Sequence, residues 1–276
     1  MTKKKTDSKP TNVQTTPKSS QASTTMTSIW QRIKSIFVDK WRTFVAMFPL
    51  VGKTIVWSTR IIIVIFLVDT GYLIGIWPEW KWYADGPIPQ SQFIQQYQRQ
   101  SWQDRSKPRL RWNPVDWDDI PNNLVKAVLT AEDSRFYRHT GIDTEAFKKA
   151  MEYNWQQKRF VYGASTISQQ TAKNLFLSAS RTPFRKWHEL VLTFAMEQNL
   201  KKSRILTLYL NVAEFGPGVF GVEAAAQKYW GVKAKDLTKK QSIELAATLP
   251  APSKHNPRTR SAFFLKQTAK IKRNMG

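Results

Sequence analysis

The chain has 276 residues, with 43 Lys and Arg against 20 Asp and Glu, a net charge of +23, three His and no Cys. The missing cysteines exclude disulfide scaffolds, Cys-bound zinc, iron–sulfur clusters and thiol nucleophiles, and three scattered histidines leave little room for a His-rich metal site. The length suits one or two domains, and the charge demands an anionic partner: nucleic acid, an acidic membrane surface or a phosphorylated substrate.

Residues 1–60 hold eleven of the cations and two of the acids, and the remainder keeps an excess of +14. Residues 1–28 are Lys, Ser, Thr, Gln and Pro with almost nothing apolar, the composition of a disordered basic tail. From Ile29 to Phe48, Ile29, Ile33, Ile36, Phe37, Trp41, Phe44 and Phe48 step by three and four, with Arg32, Lys34 and Arg42 largely opposite. This predicts an amphipathic membrane-proximal segment over 29–54. A run of large apolar residues from Ile61 to Trp77, extended back to Ile55, reaches the roughly 20 residues that span hydrocarbon. The predicted transmembrane helix is 55–77. Asp69 inside it is outweighed by the apolar residues before it, and Trp77, Trp80 and Trp82 form an interfacial belt. Cations crowd the N-terminal flank, so residues 1–55 are expected in the cytoplasm and the C-terminal domain outside.

Residues 78–119, rich in Pro, Gln, Trp and Arg, read as a linker on the membrane side. From 120 the pattern is helical. One helix follows Pro121 and ends near Glu132. Asp143 caps a second, with Phe147, Met151 and Trp155 as its stripe. Thr166 to Gln169 has capping-box spacing at the head of a third. Trp187, Leu190, Val191 and Phe194 mark a fourth, Ser203 caps a fifth and Thr238 a sixth. The domain is predicted to be mostly α.

Three constellations carry chemistry. In Glu132-Asp133-Ser134-Arg135-Phe136 a carboxyl at a helix end beside aromatics suits a base of raised pKa, or else a solvated ion-pair surface; His139 nearby suits a structural role. In Gly163 to Asn174, Ser165 and Thr166 precede a helix whose first N–H groups, with Lys173, favour a phosphate, although capping explains Ser and Thr as well. Arg181 and Arg185-Lys186-Trp187-His188-Glu189 group cations around one carboxylate, fit for a diphosphate or for a surface network worth little. Gly216-Pro217-Gly218-Val219-Phe220-Gly221 matches a dinucleotide fingerprint, but a predicted helix precedes it and no βαβ alternation surrounds it, so it reads as a tight turn.

The ordered blocks EDSRFYRHTGID, GASTISQQTAKNLFL, RKWHELVLTFAMEQ and ILTLYLNVAEFGPGVFGVEAAAQKYWG, followed by LPAPSKHNP, resemble the peptidoglycan glycosyltransferases that polymerise lipid II. The core motifs cover 121–257, within an expected catalytic domain of 120–276. The single anchor and the absence of any Ser-x-x-Lys resemble the monofunctional transglycosylases of the Gram-negative inner membrane, without transpeptidase activity. The resemblance implies a lysozyme-like helical fold in the periplasm and transfer of a growing glycan from undecaprenyl diphosphate to a lipid II hydroxyl, forming a β-1,4 bond. It implies Glu132 as the base and Glu189 as the second essential carboxylate. Lys173, Arg181 and Arg185 are implied around the donor diphosphate, and Ser165, Thr166, Gln169 and Asn174 in the glycan-binding stretch. No cofactor is obligatory; a divalent cation, magnesium or manganese, at Glu189 is left open. Expected partners are lipid II and its lipid-linked glycan, membrane lipids and other cell-wall synthesis or division proteins, with nucleic acid excluded. The competing readings are a lysozyme-like glycan-cleaving enzyme, which has no need of the cations, and a membrane-tethered basic binding module, which leaves the ordered motifs unexplained.

Overall fold

The computed structural model describes residues 20–159, 163–180 and 182–276. The tail expected over 1–28 lies outside the described residues as far as residue 19. The chain divides into two units, Met1–Tyr72 and Leu73–Gly276.

The described residues of the first unit are helical. α1 spans Ser20–Met47 and so starts ahead of the Ile29 expected from the stripe, because a nucleated helix propagates at little cost through residues with no strong breaker. Pro49 opens α2 (Pro49–Gly75). Its ring removes one N–H, but Phe48 N still donates to Phe44 O and Gly52 N to Phe48 O, each at 2.9 Å, so the two helices follow with only a local break. A Cβ on Gly52 would stand 2.8 Å from both Val45 methyls, so this position accepts only glycine without repacking. α2 is long and apolar enough to cross a membrane. It begins ahead of the expected residue 55 and ends at Gly75, and Ile61 to Val68 are all exposed on it.

The second unit is mostly α. In chain order it contains α3 (Trp80–Asp85), α4 (Gln92–Gln103), β1 (Arg111–Trp112), α5 (Asn122–Glu132), α6 (Thr144–Gln156), α7 (Ile167–Phe176), α8 (Pro183–Asn199) and α9 (Lys202–Val212). Then follow β2 (Glu214–Gly216), β3 (Val219–Phe220), α10 (Val222–Trp230), α11 (Lys239–Thr248) and α12 (Ala262–Asn274). α7 packs against both α8 and α9, and α11 lies between α5 and α12. The core is formed by Leu124 and Val128 of α5, Ile167 of α7, Leu192 and Met196 of α8, Ile205 to Leu210 of α9 and Leu245 of α11. Asp143 caps α6 through the Ala146 amide, and Thr166 and Thr238 each close a full capping box. Ser203 is not a cap: α9 starts at Lys202, and Ser203 lies in its first turn.

The segment expected as a linker is built into this unit. Ile94 of α4 is fully buried. Arg204 of α9 donates from Nε to Tyr83 O at 2.7 Å and from Nη2 to Gly86 O at 2.5 Å. β1 pairs parallel to β3, which pairs antiparallel to β2, giving the order β1-β3-β2. Asn211 clips the strand segment to α9. Its Oδ1 accepts from Val115 N at 2.8 Å, its Nδ2 donates to Val115 O and Thr207 O at 2.9 Å, and its carbonyl accepts from Trp112 Nε1 at 3.0 Å. The glycine run is a β-hairpin and no nucleotide loop. Gly218 has φ +72° and a Cβ there would meet the Tyr97 hydroxyl at 2.7 Å, while Gly221 at φ +80° lies against Asn211 O.

Two apolar stripes face outward. On α6, Phe147, Met151 and Trp155 are 53, 49 and 85 % exposed, and on α8 Trp187 and Phe194 are exposed while His188, Glu189, Leu192 and Thr193 are buried. Helical periodicity located these helices correctly, but the stripe is their outer side.

Asn211 is fully buried, so Asn211→Ala strands the Val115 N–H and C=O. Equilibrium denaturation of the detergent-solubilised chain should show a loss of about 2–4 kcal/mol, more than one surface hydrogen bond would give.

Candidate active site

The site is assembled where the C-terminus of α5 meets the N-terminus of α7. α5 ends at Glu132, and the next residue, Asp133, is buried. Its Oδ2 accepts the Ile167 amide at 3.1 Å, and its two oxygens lie 3.0 and 3.1 Å from His139 Nε2. A capping box closes the α7 start: Thr166 Oγ1 accepts from Gln169 N, Gln169 Oε1 accepts from Thr166 N at 3.0 Å, and Thr166 Oγ1 donates to Gly141 O at 2.6 Å. The sequence offers those N–H groups to a phosphate, with ordinary capping as the alternative, and the structure shows the cap. The structure uses the Ile167 amide for a carboxylate and the Gln169 amide for the cap, which leaves the side-chain cations as the main donors for an anion.

Glu132 is half-buried and points to α7, where Gln170 Nε2 donates to its Oε2 at 2.8 Å. The Tyr209 hydroxyl of α9, itself buried, donates to Gln170 Oε1 at 3.2 Å. Burial raises the Glu132 pKa above the usual carboxylate range and the neighbouring Asp133 adds to this; the Gln170 hydrogen bond and the Lys173 charge oppose it. The Glu132–Gln170–Tyr209 chain joins residues that line two cavities. One, of about 280 Å³, is lined by Glu132, Ser134, Arg135, Lys149, Ser165 and Thr166 among others. The other, of about 140 Å³, is lined by Phe93, Gln170, Lys173, Asn174, Tyr209 and Glu214 among others.

Glu189 of α8 is 3 % exposed. Its Oε2 accepts from Arg185 Nη1 at 2.6 Å and its Oε1 pairs with Lys186 Nζ, the i+4 and i+3 spacings that bring side chains together on one helix face. Lys186 Nζ also reaches Ser165 Oγ at 3.4 Å. Arg185 Nε is buried with no acceptor among the described residues. Lys173 lies in the field of both carboxylates and of both α8 cations, and burial, the largest influence, lowers its pKa. The result is a partly exposed cationic cluster with an unused buried donor, which an anionic group of more than one charge would complete.

A divalent ion at Glu189 fits this donor set poorly, because both carboxylate oxygens are already engaged by cations. The carboxylate–imidazole group whose ligand atoms lie within 4.8 Å of one another is Asp133, His139 and Asp143. There Asp133 serves Ile167 and His139, while Asp143 caps α6 and faces Arg135 Nε at 3.4 Å.

The structure therefore brings together Glu132, Glu189, Lys173, Arg185, Ser165, Thr166 and Asn174. Gln169 is turned into the cap, and Arg181 lies outside the described residues. Sequence reasoning counted Lys186 among the cations and gave Gln170 only a weak polar role, and it gave no role to Asp133, Tyr209 or Glu214. A signal for Glu214 existed: it is the one charge between Leu210 and Phe220. Burial pushes its carboxyl up to about 7, against the pull of Lys228. The Tyr229 hydroxyl, donating to Phe215 O at 2.6 Å, is pushed up to about 12 by burial and, second, by Glu214.

Glu214 titrates in the unfolded chain near the ordinary carboxylate value and in the folded chain near 7, so its contribution to stability is complete below the first value and is lost as pH rises through the second. Glu214→Gln should leave the melting temperature close to wild type near pH 4.5. By pH 8 it should lie above it, by the equivalent of about 1–2 kcal/mol once solvent screening is allowed for. Parallel thermal melts across this range check the sign.

The Transglycosylase family model matches residues 99–276, taking in part of the segment expected as linker. A relative from Laribacter hongkongensis, named biosynthetic peptidoglycan transglycosylase, is 38 % identical over 81 % of this chain and 96 % of its own length. Relatives of the same name from Nitrosospira multiformis and Bordetella pertussis are 43 % and 38 % identical, over 59 % and 79 % of this chain and 70 % and 91 % of their own. With two carboxylates and a cation cluster joined through Lys173 in the matched region, the chain belongs to the transglycosylase family.

Proposed function

We propose that this chain is a peptidoglycan glycosyltransferase that polymerises lipid II into linear β-1,4 glycan and releases undecaprenyl diphosphate. The observation that carries the reading is Lys173, which couples the half-buried base candidate Glu132 to the cation cluster around Glu189. Glu132, held by Gln170, takes the proton from the 4-hydroxyl of lipid II in the larger cavity. The freed oxygen attacks C1 of the growing glycan, the C1–O bond to the diphosphate breaks, and its electron pair leaves with the diphosphate. Lys173, Arg185 and Lys186 neutralise that charge, with Arg185 Nε as the additional donor. Glu189 holds the α8 cations in place. A diphosphate leaves well, so charge stabilisation and a base suffice, with no strong acid. The growing strand lies along Lys173 and Asn174, and Ser165 and Thr166 line the place of the incoming sugar. The exposed aromatic sides of α6 and α8 suit contact with the lipid that carries both substrates. We place the catalytic unit on the periplasmic side of the inner membrane; the support is the cation excess ahead of α2.

In detergent, the chain should elongate lipid II without ATP, and Glu132→Gln should reduce the rate by about 10²–10⁴-fold. Full activity of that variant, or hydrolysis of finished glycan in place of polymerisation, would overturn the reading. The pH profile gives a second check. Gln170→Ala removes the hydrogen bond that lowers the Glu132 pKa, so the acidic limb of the rate profile should move to higher pH than in wild type.

A further inference from the structure

Beyond the catalytic cavities lies a larger cleft of about 820 Å³ at the C-terminal end of α4, lined by Gln98, Trp102, Arg105, Lys107 and Arg109 among others. Trp102 is 75 % exposed there. Among the described residues, no carboxylate stands within ion-pairing distance of Arg105 or Arg109. The nearby acid, Asp104, is turned back to accept the Ser106 amide at 3.0 Å and the Ser106 hydroxyl at 2.6 Å. The loop carrying the cations is firmly held: Lys107 Nζ donates to Gln100 Oε1 at 2.8 Å, the Tyr97 hydroxyl to Pro108 O at 2.8 Å, and Arg111 N to Gly218 O at 2.7 Å. The cleft is linked to the catalytic region through α4. Phe93, one turn before Tyr97 on α4, lines the cavity of Lys173 and Asn174, and the Tyr97 ring packs at 5.5 Å on Phe220 of that same cavity.

We propose that this cleft is an exit subsite for the nascent strand, binding glycan that bears short acidic peptides. Trp102 offers an apolar platform to a pyranose face, Gln98 hydrogen-bonds sugar hydroxyls, and Arg105, Lys107 and Arg109 pair with peptide carboxylates. Phe93 and Ser101 lie about 12 Å apart along α4 at 1.5 Å per residue, a span that a glycan of a few sugars crosses. An anionic lipid surface is the weaker occupant, since Trp102 is the lone large exposed apolar side chain here and the broad apolar surface is on α6 and α8. This use of the cleft presupposes the polymerising activity proposed above.

The test uses the full chain in detergent and two probes: an uncrosslinked peptidoglycan tetrasaccharide with its peptides, and the same glycan after the peptides are removed. Trp102→Ala combined with Arg105→Glu and Arg109→Glu should weaken binding of the peptide-bearing probe by about tenfold or more, with a smaller effect on the stripped probe, and should shift the polymer to shorter strands. The double variant Arg105→Gln with Arg109→Gln, which changes only exposed side chains, should give the same direction if the triple variant folds poorly. Unchanged affinity and strand length in a folded variant would overturn the subsite. So would equal losses for both probes, or a loss confined to binding of phosphatidylglycerol vesicles. A wild-type chain that fails to elongate lipid II would overturn the proposed function instead, so the two failures are told apart.

Discussion

The site depends on one buried carboxylate, Asp133, accepting the first amide of α7. Burying an acid is costly unless its charge is met. Here it is met by the Ile167 N–H, by His139 and by the positive end of the helix. The bond locks two helices that meet at their ends, and its neighbour Glu132 is thereby aimed at Gln170. It also narrows an alternative, because it takes the first amide of this helix start away from any substrate phosphate. A division of labour follows: backbone donors here hold the fold, and the side-chain cations are the groups left for an anionic ligand.

The same economy governs α8. Arg185, Lys186 and Glu189 share one face, so the buried acid keeps two cations near each other that would otherwise repel. Lys173 approaches from α7, and its ammonium, 5.7 Å from the Phe93 ring, extends the positive region toward the smaller cavity. Placing acids among these cations offsets their mutual repulsion while leaving the cluster net positive. Glu214, at the rim of the smaller cavity, is the opposite case: its partner Lys228 only partly offsets its burial.

Much of this was legible in the sequence, for identifiable reasons. Capping boxes at Thr166 and Thr238 and the Asp143 cap are local signals, and all were read correctly. The ordered motifs marked Glu132, Lys173, Arg185 and Glu189. What escaped was non-local. The partner of Asp133 is 34 residues away, and nothing in the spacing announces it. Gln169 and Gln170 look alike in the sequence, yet one closes a cap and the other holds Glu132. Periodicity placed α6 and α8 but could not say which medium their stripes face. Residues 78–119 looked like linker because their elements are short and their ties, such as Asn211 to Val115, come from far along the chain.

Those ties set an order of events during synthesis. Trp112 and its anchor Asn211 are 99 residues apart, and β1 pairs with β3, made later still. At ordinary rates the ribosome needs about 5–20 s to cover that distance. During that interval the first part of the catalytic unit to be made has neither its strand neighbour nor its clip. The unit therefore cannot fold progressively from its N-terminus, and its earliest segment must wait, exposed to proteases and chaperones, for its latest partners.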